Sequence, residues 1–544
     1  MSRIEDWAAV AADPRTLVLG YNGRVEMFTR SPLHPRARAS AMRWIFSSLL
    51  KFDEEIGLRG DLAERWDVSP DGKTYTFWLH KNAVWHDGQP VTAEDVVFSA
   101  ELLKQPTRYF RNTLHLHTGE PAVFEALDTH TVRVTTPRPY AALPAYLTAT
   151  WASLFLIVPK HLLEGGDEDA YEEHPIGSGP FRFGEITEDG HAILLANPDY
   201  FGGAPKVDRA ILRLIEKNPD RRDAFLRGEL DVVVAPGRQF TAELAAEHDG
   251  RLSATPSNQI VHFGMNCRNP LFESVKVRQA IACAVDRPAL VRKIEGPDGL
   301  PAFGPIGPTC WAYEPNVEQH PYNPERARQL LAEEGWLPGP DGLLQKDGVP
   351  FRFEVIFVPD TWNVDYASYA EGIRAYLAAI GITLEVRPVE YWNGVKPAWR
   401  SHQFDAFMYY DTFYNEPDLY WSWHSSMPKR PNGPETDPPA GLSQYGYGTT
   451  GYANPEVDQL IVAAREEPDR ARRTALLSQA QQILSEEVGS LWLFNFPYRT
   501  VVHNRLRGTS KPSLAEGTAD LTVTNYPERL YKMASPASVQ ASPS

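Results

Sequence analysis

The chain has 544 residues, too many for one hydrophobic core, and a usual domain size of about 150 residues predicts about three to four structural units. With 42% hydrophobic and 23% charged residues it has enough apolar side chains to fold, which excludes a chain that is disordered throughout. The 70 acidic residues outnumber the 54 basic ones, and the net charge of −16 argues against nucleic acid and anionic membranes as partners.

The cysteines and the N-terminus restrict the compartment only in part. Cys267, Cys283 and Cys310 are an odd number without a close pair, so we expect buried free thiols rather than disulfides or a zinc site. No apolar run reaches the roughly 20 residues of a membrane span. The N-terminal segment has neither the basic and apolar regions of a secretion signal nor a lipid-acceptor cysteine. Two locations stay open: periplasmic or extracellular and membrane-associated if a signal was removed, or cytoplasmic if Met1 is the natural start.

The first third of the chain gives local signals for strands, turns and a capped helix. Arg15–Tyr21 is apolar enough for a buried strand, and the pattern over Arg43–Leu50 predicts a helix. Ser69–Gly72 contains the Asp-Gly pair of a hairpin turn. Thr92 followed by Asp95 predicts the start of a helix with a capping box. These signals are structural and bring no catalytic groups together.

Near mid-chain, Gln259–Phe272 predicts a strand that leads into a helix. Side chains alternate from Ile260 to Met265, and Asn269-Pro270 ends the strand. Because each half of the chain has core material of its own, we interpret this segment as a crossing between two lobes. The second half then predicts a strand, a helix and further strands, which indicates a second α/β lobe. The predicted segments are Phe351–Val358, Tyr369–Ala379, Ile382–Val386 and Phe404–Tyr409, with a return crossing at residues 491–503.

Aromatic residues are concentrated between Tyr391 and Trp423, far above the 11% average of the chain. Tryptophan and tyrosine combine apolar area with a polar group, so a surplus in loops is typical of a cleft that binds a ligand. For some of them the alternative is a place in the core. The aromatic residues of this segment are Tyr391, Trp392, Trp399, Phe404, Phe407, Tyr409, Tyr410, Phe413, Tyr414, Tyr420, Trp421 and Trp423.

Motifs for cofactors, metals and catalysis are weak. Gly446–Gly451 matches G-x-G-x-x-G but follows coil instead of a strand, which argues against a nucleotide site. His115 and His117 have no third metal ligand nearby, and two polar positions on a half-exposed strand are the simpler interpretation. No nucleophile, base and oxyanion set can be assembled from spacing. We therefore expect no cofactor, no metal and no catalytic residues.

Four stretches together resemble a known family. They are Leu62–Leu103, Gly177–Phe183, Met265–Val291 and Tyr409–Trp423. In this order they are similar to the family 5 extracellular solute-binding proteins of ABC importers, which bind peptides, nickel and opines. The resemblance extends from about Thr16 to about Val502 and implies a two-lobed α/β fold, with an extra subdomain in lobe 1 and a hinge of two crossing segments. The implied boundaries are residues 1–46, 177–262 and 496–544 for lobe 1, 47–176 for the inserted subdomain, and 263–495 for lobe 2.

The resemblance implies binding and not catalysis. The expected function is capture of a peptide-like or other small organic solute by hinge closure, as a monomer that delivers it to an ABC permease if exported. A cytoplasmic protein on the same scaffold, acting as an enzyme or ligand sensor in a small-molecule pathway, is the alternative. The absence of a recognisable signal favours that alternative, and neighbouring permease and ATPase genes would argue against it.

The resemblance also implies where a solute binds. Peptide-binding members present an Asp to the ligand's α-ammonium, but Phe413 stands at that position here, and Asp411 precedes it by two residues. His34 stands where the first cleft loop usually has an Asp, although an exposed loop histidine without a role is an equal possibility. Fewer acidic anchors and more rings favour a modified peptide, an aromatic metabolite or a glycosylated molecule over ordinary peptides, unless Asp411 replaces the missing Asp. The predicted ligand-binding residues are His34, Trp392, Trp399, Tyr410, Asp411, Phe413, Trp421 and Trp423.

Overall fold

The structure is a computed structural model. It describes residues 4–21, 39–53, 57–104, 122–149, 155–234, 250–297, 299–359, 364–412, 416–425, 450–508 and 527–533. Over these ranges it is a mixed α/β protein.

The helices in the described ranges are, in chain order, α1 (Trp7–Ala12), α2 (Ala39–Ile45), α3 (Ala93–Leu103), α4 (Leu143–Tyr146), α5 (Lys160–Leu163), α6 (Glu168–Glu173), α7 (Asn218–Leu226), α8 (Val275–Ala284), α9 (Arg287–Glu295), α10 (Pro324–Glu333), α11 (Tyr366–Ala378), α12 (Lys396–Ser401), α13 (Tyr420–Trp423), α14 (Pro455–Glu466) and α15 (Arg470–Glu486). A π-helical turn covers Tyr391–Val395, and a 3-10 turn covers Pro527–Arg529.

The strands are β1 (Thr16–Tyr21), β2 (Leu50–Phe52), β3 (Leu58–Gly60), β4 (Ala63–Val68), β5 (Thr74–Leu79), β6 (Val123–Asp128), β7 (Thr131–Thr135), β8 (Phe181–Ile186), β9 (Ala192–Ala196), β10 (Arg209–Leu214), β11 (Val232–Val234), β12 (Gly250–Met265), β13 (Leu300–Pro301), β14 (Leu337–Pro338), β15 (Leu344–Lys346), β16 (Val349–Pro350), β17 (Arg352–Phe357), β18 (Thr383–Pro388), β19 (Ala406–Thr412), β20 (Leu491–His503), β21 (Leu506–Arg507) and β22 (Tyr531–Lys532).

The described residues divide into two compact units. Unit 1 lies within Met1–Thr255 and Tyr498–Ser544, and unit 2 within Pro256–Thr436 and Ser443–Pro497. The chain therefore passes between the units inside β12 and again inside β20. The predicted lobe boundaries at 262/263 and 495/496 lie close to these positions, and the inserted subdomain stays a prediction.

Unit 1 contains a mixed sheet in which the C-terminal part of β20 is followed by β11, β1, β10, β9 and β8. Strand β1 is parallel to β10 and β11, and all six of its residues are buried, which agrees with the apolar run at this position. A second, antiparallel sheet has the order β4-β5-β7-β6. Its β4–β5 hairpin was predicted from Ser69–Gly72, and Gly72 adopts the expected positive φ of 67°.

Two local predictions in unit 1 have opposite outcomes. The capped helix is confirmed, because the backbone N–H and the hydroxyl of Thr92 both donate to Asp95 Oδ2, at 2.8 and 2.9 Å. The helix predicted over Arg43–Leu50 is wrong in its second half, since α2 ends at Ile45. Ser48 instead donates its backbone N–H to Asp61 Oδ2 at 2.9 Å, a tertiary contact that replaces the helical hydrogen bond.

Unit 2 contains the strand order β18-β17-β19-β12. The parallel pair β17 and β18 is joined by α11, which confirms the predicted strand, helix and strand order. β12 runs antiparallel to β19 from Gln259 to Met265. The helices α14 and α15 contribute side chains to a hydrophobic cluster that contains Trp423 and Trp492.

No helix in the described ranges combines the length and apolar character needed to cross a membrane. The three cysteines are free thiols; Cys283 and Cys310 are buried, and Cys267 is half-buried. The expectation of unpaired cysteines is confirmed.

Candidate functional site

The predicted site residues fall into two groups. His34 and Phe413 lie outside the described residues. Trp392 belongs to the π-helical turn and Trp421 to α13, but their side chains are not among the described parts of the structure. The other four residues belong to unit 2: Trp399, Tyr410, Asp411 and Trp423.

The two described tryptophans are packed inside unit 2. Trp399 is 6% exposed, and its ring lies edge-on to Phe407 and Tyr409, with centroids 5.2 and 5.1 Å away. Trp423 is 3% exposed and packs against Trp492 in the core. Part of the aromatic surplus therefore builds the interior, and a ligand contact for either tryptophan stays a prediction.

Asp411 lies near the end of β19, where the sequence predicted a carboxylate for the solute. It pairs across the sheet with Ile260, so that its side chain lies diagonally opposite His262 on the same face. Its Oδ1 is 3.7 Å from His262 Nε2, and both side chains are nearly completely buried. On the same face, Gly264 leaves room for the ring of Phe407, which a Cβ at this position would approach to 2.4 Å.

Ser490 fixes the other side of the His262 ring. Its Oγ lies 2.7 Å from His262 Nδ1 and donates to the carbonyl oxygen of Phe263 at 3.0 Å. A hydroxyl has a single hydrogen, so a Ser490 that donates to Phe263 must accept from Nδ1–H. The neutral His262 ring then carries its hydrogen on Nδ1 and presents the lone pair of Nε2 to Asp411.

Burial governs the titration of this pair. It lowers the pKa of His262 below its usual range, against a smaller opposing effect of Asp411. It raises the pKa of the Asp411 carboxyl, against a smaller opposing effect of His262. Both shifts favour the uncharged forms, as expected for ionisable groups removed from water.

The order Ser490, His262 and Asp411 is that of a hydrolase triad, but its geometry is different. Ser490 is 0% exposed, and its hydroxyl hydrogen is used by Phe263. A nucleophile must reach a substrate carbonyl and give its proton to the histidine, whereas this serine accepts a hydrogen from His262. The three residues therefore form a buried polar link between β12, β19 and the start of β20.

Two buried ion pairs fix the chain just beyond Asp411. Arg465 of α14 binds Asp418 through Nε and Nη2, at 2.8 and 2.6 Å, and both side chains are almost inaccessible. Arg473 of α15 pairs with Glu416. These contacts attach residues 416–425 to the helices of unit 2.

Sequence reasoning found Asp411 but missed its surroundings. His262 was recognised only as a strand residue and Ser490 not at all, although a charged or polar residue on the buried face of a strand is a signal in itself. No group of three or more His, Cys, Asp or Glu side chains suited to a metal ion occurs in the part of the chain that is described.

Comparison with known proteins identifies the family. The model of the bacterial extracellular solute-binding proteins, family 5 Middle, matches residues 57–431. The oligopeptide-binding protein AppA of Bacillus subtilis is 29% identical over 503 residues, covering 88% of this chain and 86% of the relative. The dipeptide-binding protein of Escherichia coli is 26% identical over 538 residues, covering 93% and 94% of the two chains.

A solved structure supports the same fold. NikZ of Campylobacter jejuni, in complex with Ni(L-His), superposes with a TM-score of 0.77 at 23% identity, and the match covers 96% of this chain and 100% of that one. This likeness confirms the expected two-lobed α/β fold class, and the family match confirms the resemblance found in the sequence. The chain belongs to the family 5 bacterial extracellular solute-binding proteins.

Proposed function

We propose that this protein captures a peptide-like or other small organic solute by hinge closure and delivers it to an ABC permease. In this role it acts outside the cytoplasmic membrane, as a monomer and without a catalytic step. Relatives that bind oligopeptides and dipeptides support the solute class. The passages of the chain between its two compact units, inside β12 and β20, support the hinge.

The observation that carries the site assignment is the state of Asp411. Its side chain is 5% exposed, and none of the described residues donates a hydrogen bond to its carboxylate. A buried carboxylate without donors is costly unless it is protonated or meets a cation. Asp411 is therefore the group of this segment that is suited to a hydrogen-bond donor or cationic group of a solute.

The remaining predicted contacts belong to the same proposal. His34, Trp392, Phe413 and Trp421 are proposed from the sequence, together with Tyr410 of β19, to supply apolar and aromatic surface to the solute. Rings bury large apolar area while a hydroxyl or indole N–H gives direction, which suits a solute of mixed character.

A thermal-shift screen with peptides, modified peptides and aromatic metabolites, followed by calorimetry, tests the proposal. A binder should also decrease the radius of gyration in small-angle scattering, because hinge closure compacts the protein. The bound compound should be recovered chemically unchanged when the complex is denatured. Recovery of a converted product, or binding without any compaction, would contradict solute capture by hinge closure.

A further inference from the structure

We propose that His262 and Asp411 form a proton-binding site inside unit 2, which holds one titratable proton near neutral pH, and that Ser490 creates this site by fixing the histidine tautomer. The proposal stands on the geometry of three buried side chains and does not need a solute. It goes beyond solute capture because it assigns a role to His262 and Ser490.

The hydrogen bonds of Ser490 determine which ring nitrogen of His262 carries the hydrogen. Ser490 gives its single hydrogen to the Phe263 carbonyl oxygen and accepts Nδ1–H of His262. In the opposite arrangement Ser490 would donate to Nδ1, and one of these two hydrogen bonds would be lost. The arrangement with both bonds therefore fixes the neutral ring with an unprotonated Nε2.

The unprotonated Nε2 of His262 faces the carboxyl group of Asp411. Asp411 Oδ1 lies 3.7 Å from His262 Nε2. If His262 were neutral and Asp411 ionised, the lone pair of Nε2 would therefore face a negative charge. Neither group could then donate to the other, and the carboxylate would be buried without a donor among the described residues. One added proton removes the conflict, because either Nε2–H⁺ faces the carboxylate or the carboxylic acid faces the Nε2 lone pair.

The described residues around the pair supply no other charge that shifts the pKa of Asp411. Within the described ranges, Asp411 is the charged group that acts on the pKa of His262, and His262 is the one that acts on Asp411. Among the described residues, phenols lie in the same region: Tyr409 and Tyr410 on β19, together with Tyr366 and Tyr391, which both stack on Tyr409. Burial raises the pKa of Tyr366 well above its usual range, so this phenol stays neutral.

The consequence for a solute rests on the proposed function. A cationic group that approaches Asp411 takes the place of the proton, so that the carboxylic acid and the ammonium become an ion pair and one proton passes to solvent. A neutral solute leaves the proton where it is. Binding of a cationic solute would thus release one proton, whereas binding of a neutral solute would release none. The number of protons released can be measured independently of the binding affinity.

The test uses the solute-free protein. Labelling with 13C-aspartate and 15N-histidine lets NMR report the protonation of Asp411 Cγ and of both ring nitrogens of His262 at the same pH, with Asp411→Asn and His262→Gln to assign the signals. An ordinary aspartate, with a pKa of about 3.9, is ionised at about pH 6. At that pH we expect the pair to hold one proton in addition to the hydrogen on Nδ1 of His262, either on Asp411 or on Nε2 of His262. An ionised Asp411 beside a neutral His262 overturns the proposal, and this wild-type result decides even if a variant fails to fold.

Ser490→Ala tests the tautomer argument. Without the hydroxyl, the neutral ring can carry its hydrogen on Nε2 and donate directly to an ionised Asp411, so the added proton should leave at a lower pH than in the wild type. A purely structural role for Ser490 predicts no such change, and an unchanged titration would overturn its assignment.

The His424–Asp458 pair provides a matched control in the same unit. Its Nδ1 to Oδ1 distance is 3.9 Å, but Asp458 already accepts the backbone N–H of Ser425 at 2.8 Å. Because that carboxylate already has a donor, the conflict argued for Asp411 does not arise there, and the same labels should give different results for the two pairs. The same result for both pairs would show that the measurement does not distinguish the two environments.

Discussion

Arg465 and Asp418 form a bidentate ion pair inside unit 2, with side chains that are 1% and 2% exposed. Arg465 also lies over the ring of Tyr420, 4.0 Å from its centroid. The guanidinium of Arg465 thus contacts both Asp418 and Tyr420 and holds the part of the chain that leads into α13.

Removal of one partner of this pair should destabilise the protein strongly. Arg465→Met leaves the buried Asp418 carboxylate without its guanidinium partner, and we expect a loss of about 3 to 5 kcal/mol in the free energy of unfolding, measured with urea. Arg465→Met combined with Asp418→Leu should recover a large part of this loss. The control is Arg472→Met, which removes an exposed ion pair with Glu467 and should change little. Equal losses for the buried and exposed pairs would contradict this account.

A second buried carboxylate connects distant parts of unit 1. Asp231 is 0% exposed and accepts hydrogen bonds from Val18 N–H, Arg505 Nε and Lys532 Nζ, at 2.7, 2.6 and 2.8 Å. Lys532 also donates to the carbonyl oxygen of Ala11 at 2.7 Å. The network attaches residues 527–533 to the N-terminal part of the unit.

Asp231→Leu should therefore cost about 3 to 5 kcal/mol in the free energy of unfolding, because it leaves the buried Lys532 and the half-buried Arg505 without their counter-ion. Residues 527–533 should also become more sensitive to proteolysis, measured by mass spectrometry of the fragments. Asp208→Leu, which removes an exposed pair with Arg15, is the matched control. Unchanged cleavage near residues 527–533 in the Asp231 variant would argue against the attachment.

Unit 1 should lose stability in mild acid through His86. The ring accepts Gly177 N–H at Nδ1, at 3.2 Å, and its Nε2 contacts the Gly179 carbonyl oxygen at 3.0 Å, so a second proton on Nδ1 would face a donor. Burial lowers the pKa of His86 to about 4. The folded-state pKa lies below the unfolded value of about 6.5. The neutral ring therefore makes its full contribution to the free energy of unfolding above about pH 6.5, and this contribution falls towards pH 4, by up to about 3 kcal/mol.

The measurement for His86 is urea unfolding at several pH values between these limits, for the wild type and for His86→Gln. The variant should have a flatter dependence on pH, since glutamine does not titrate. His161, an exposed histidine that pairs with Asp87, provides the control variant His161→Gln, whose dependence on pH should follow that of the wild type. Parallel curves for His86→Gln and the wild type would rule out His86 as the source.

The sequence predicted those features whose signal is local. Thr92 and Asp95 are three residues apart, and the Asp-Gly turn before β5 is contiguous, so both were recognised. The end of α2 was missed because Ser48 binds Asp61, a contact that spacing within a helix does not reveal. The link from His262 to Ser490 spans 228 positions, and only the folded sheet brings these residues together. Composition indicated the aromatic segment, but it could not separate core rings such as Trp423 from rings that face a solute.

Solute binding should change tryptophan fluorescence, because the residues predicted from the sequence to contact the solute include Trp392, Trp399, Trp421 and Trp423. Replacement of each by alanine should weaken binding in at least one case by about 1 to 3 kcal/mol, as for an aromatic contact at a hot spot. Trp399 and Trp423 are buried, so alanine there also removes core packing, and Phe variants at these two positions serve as controls. Four folded variants with unaltered affinity would exclude the tryptophans from the site.

The charge of the solute is the property that most directly defines the ligand. The family resemblance aligns Phe413 with the expected amine-binding Asp and His34 with an acidic residue, so we expect ordinary free peptides to bind poorly compared with modified peptides or aromatic compounds. Asp411 is the group that can reverse this expectation, since its carboxylate lacks a donor among the described residues. Calorimetric titration with a mixed peptide library decides between the two. Weak or absent binding of peptides in both the wild type and Asp411→Asn agrees with a neutral or aromatic solute. Micromolar binding of unmodified peptides that Asp411→Asn abolishes would show that Asp411 serves as the amine anchor and that the preference for neutral solutes is wrong.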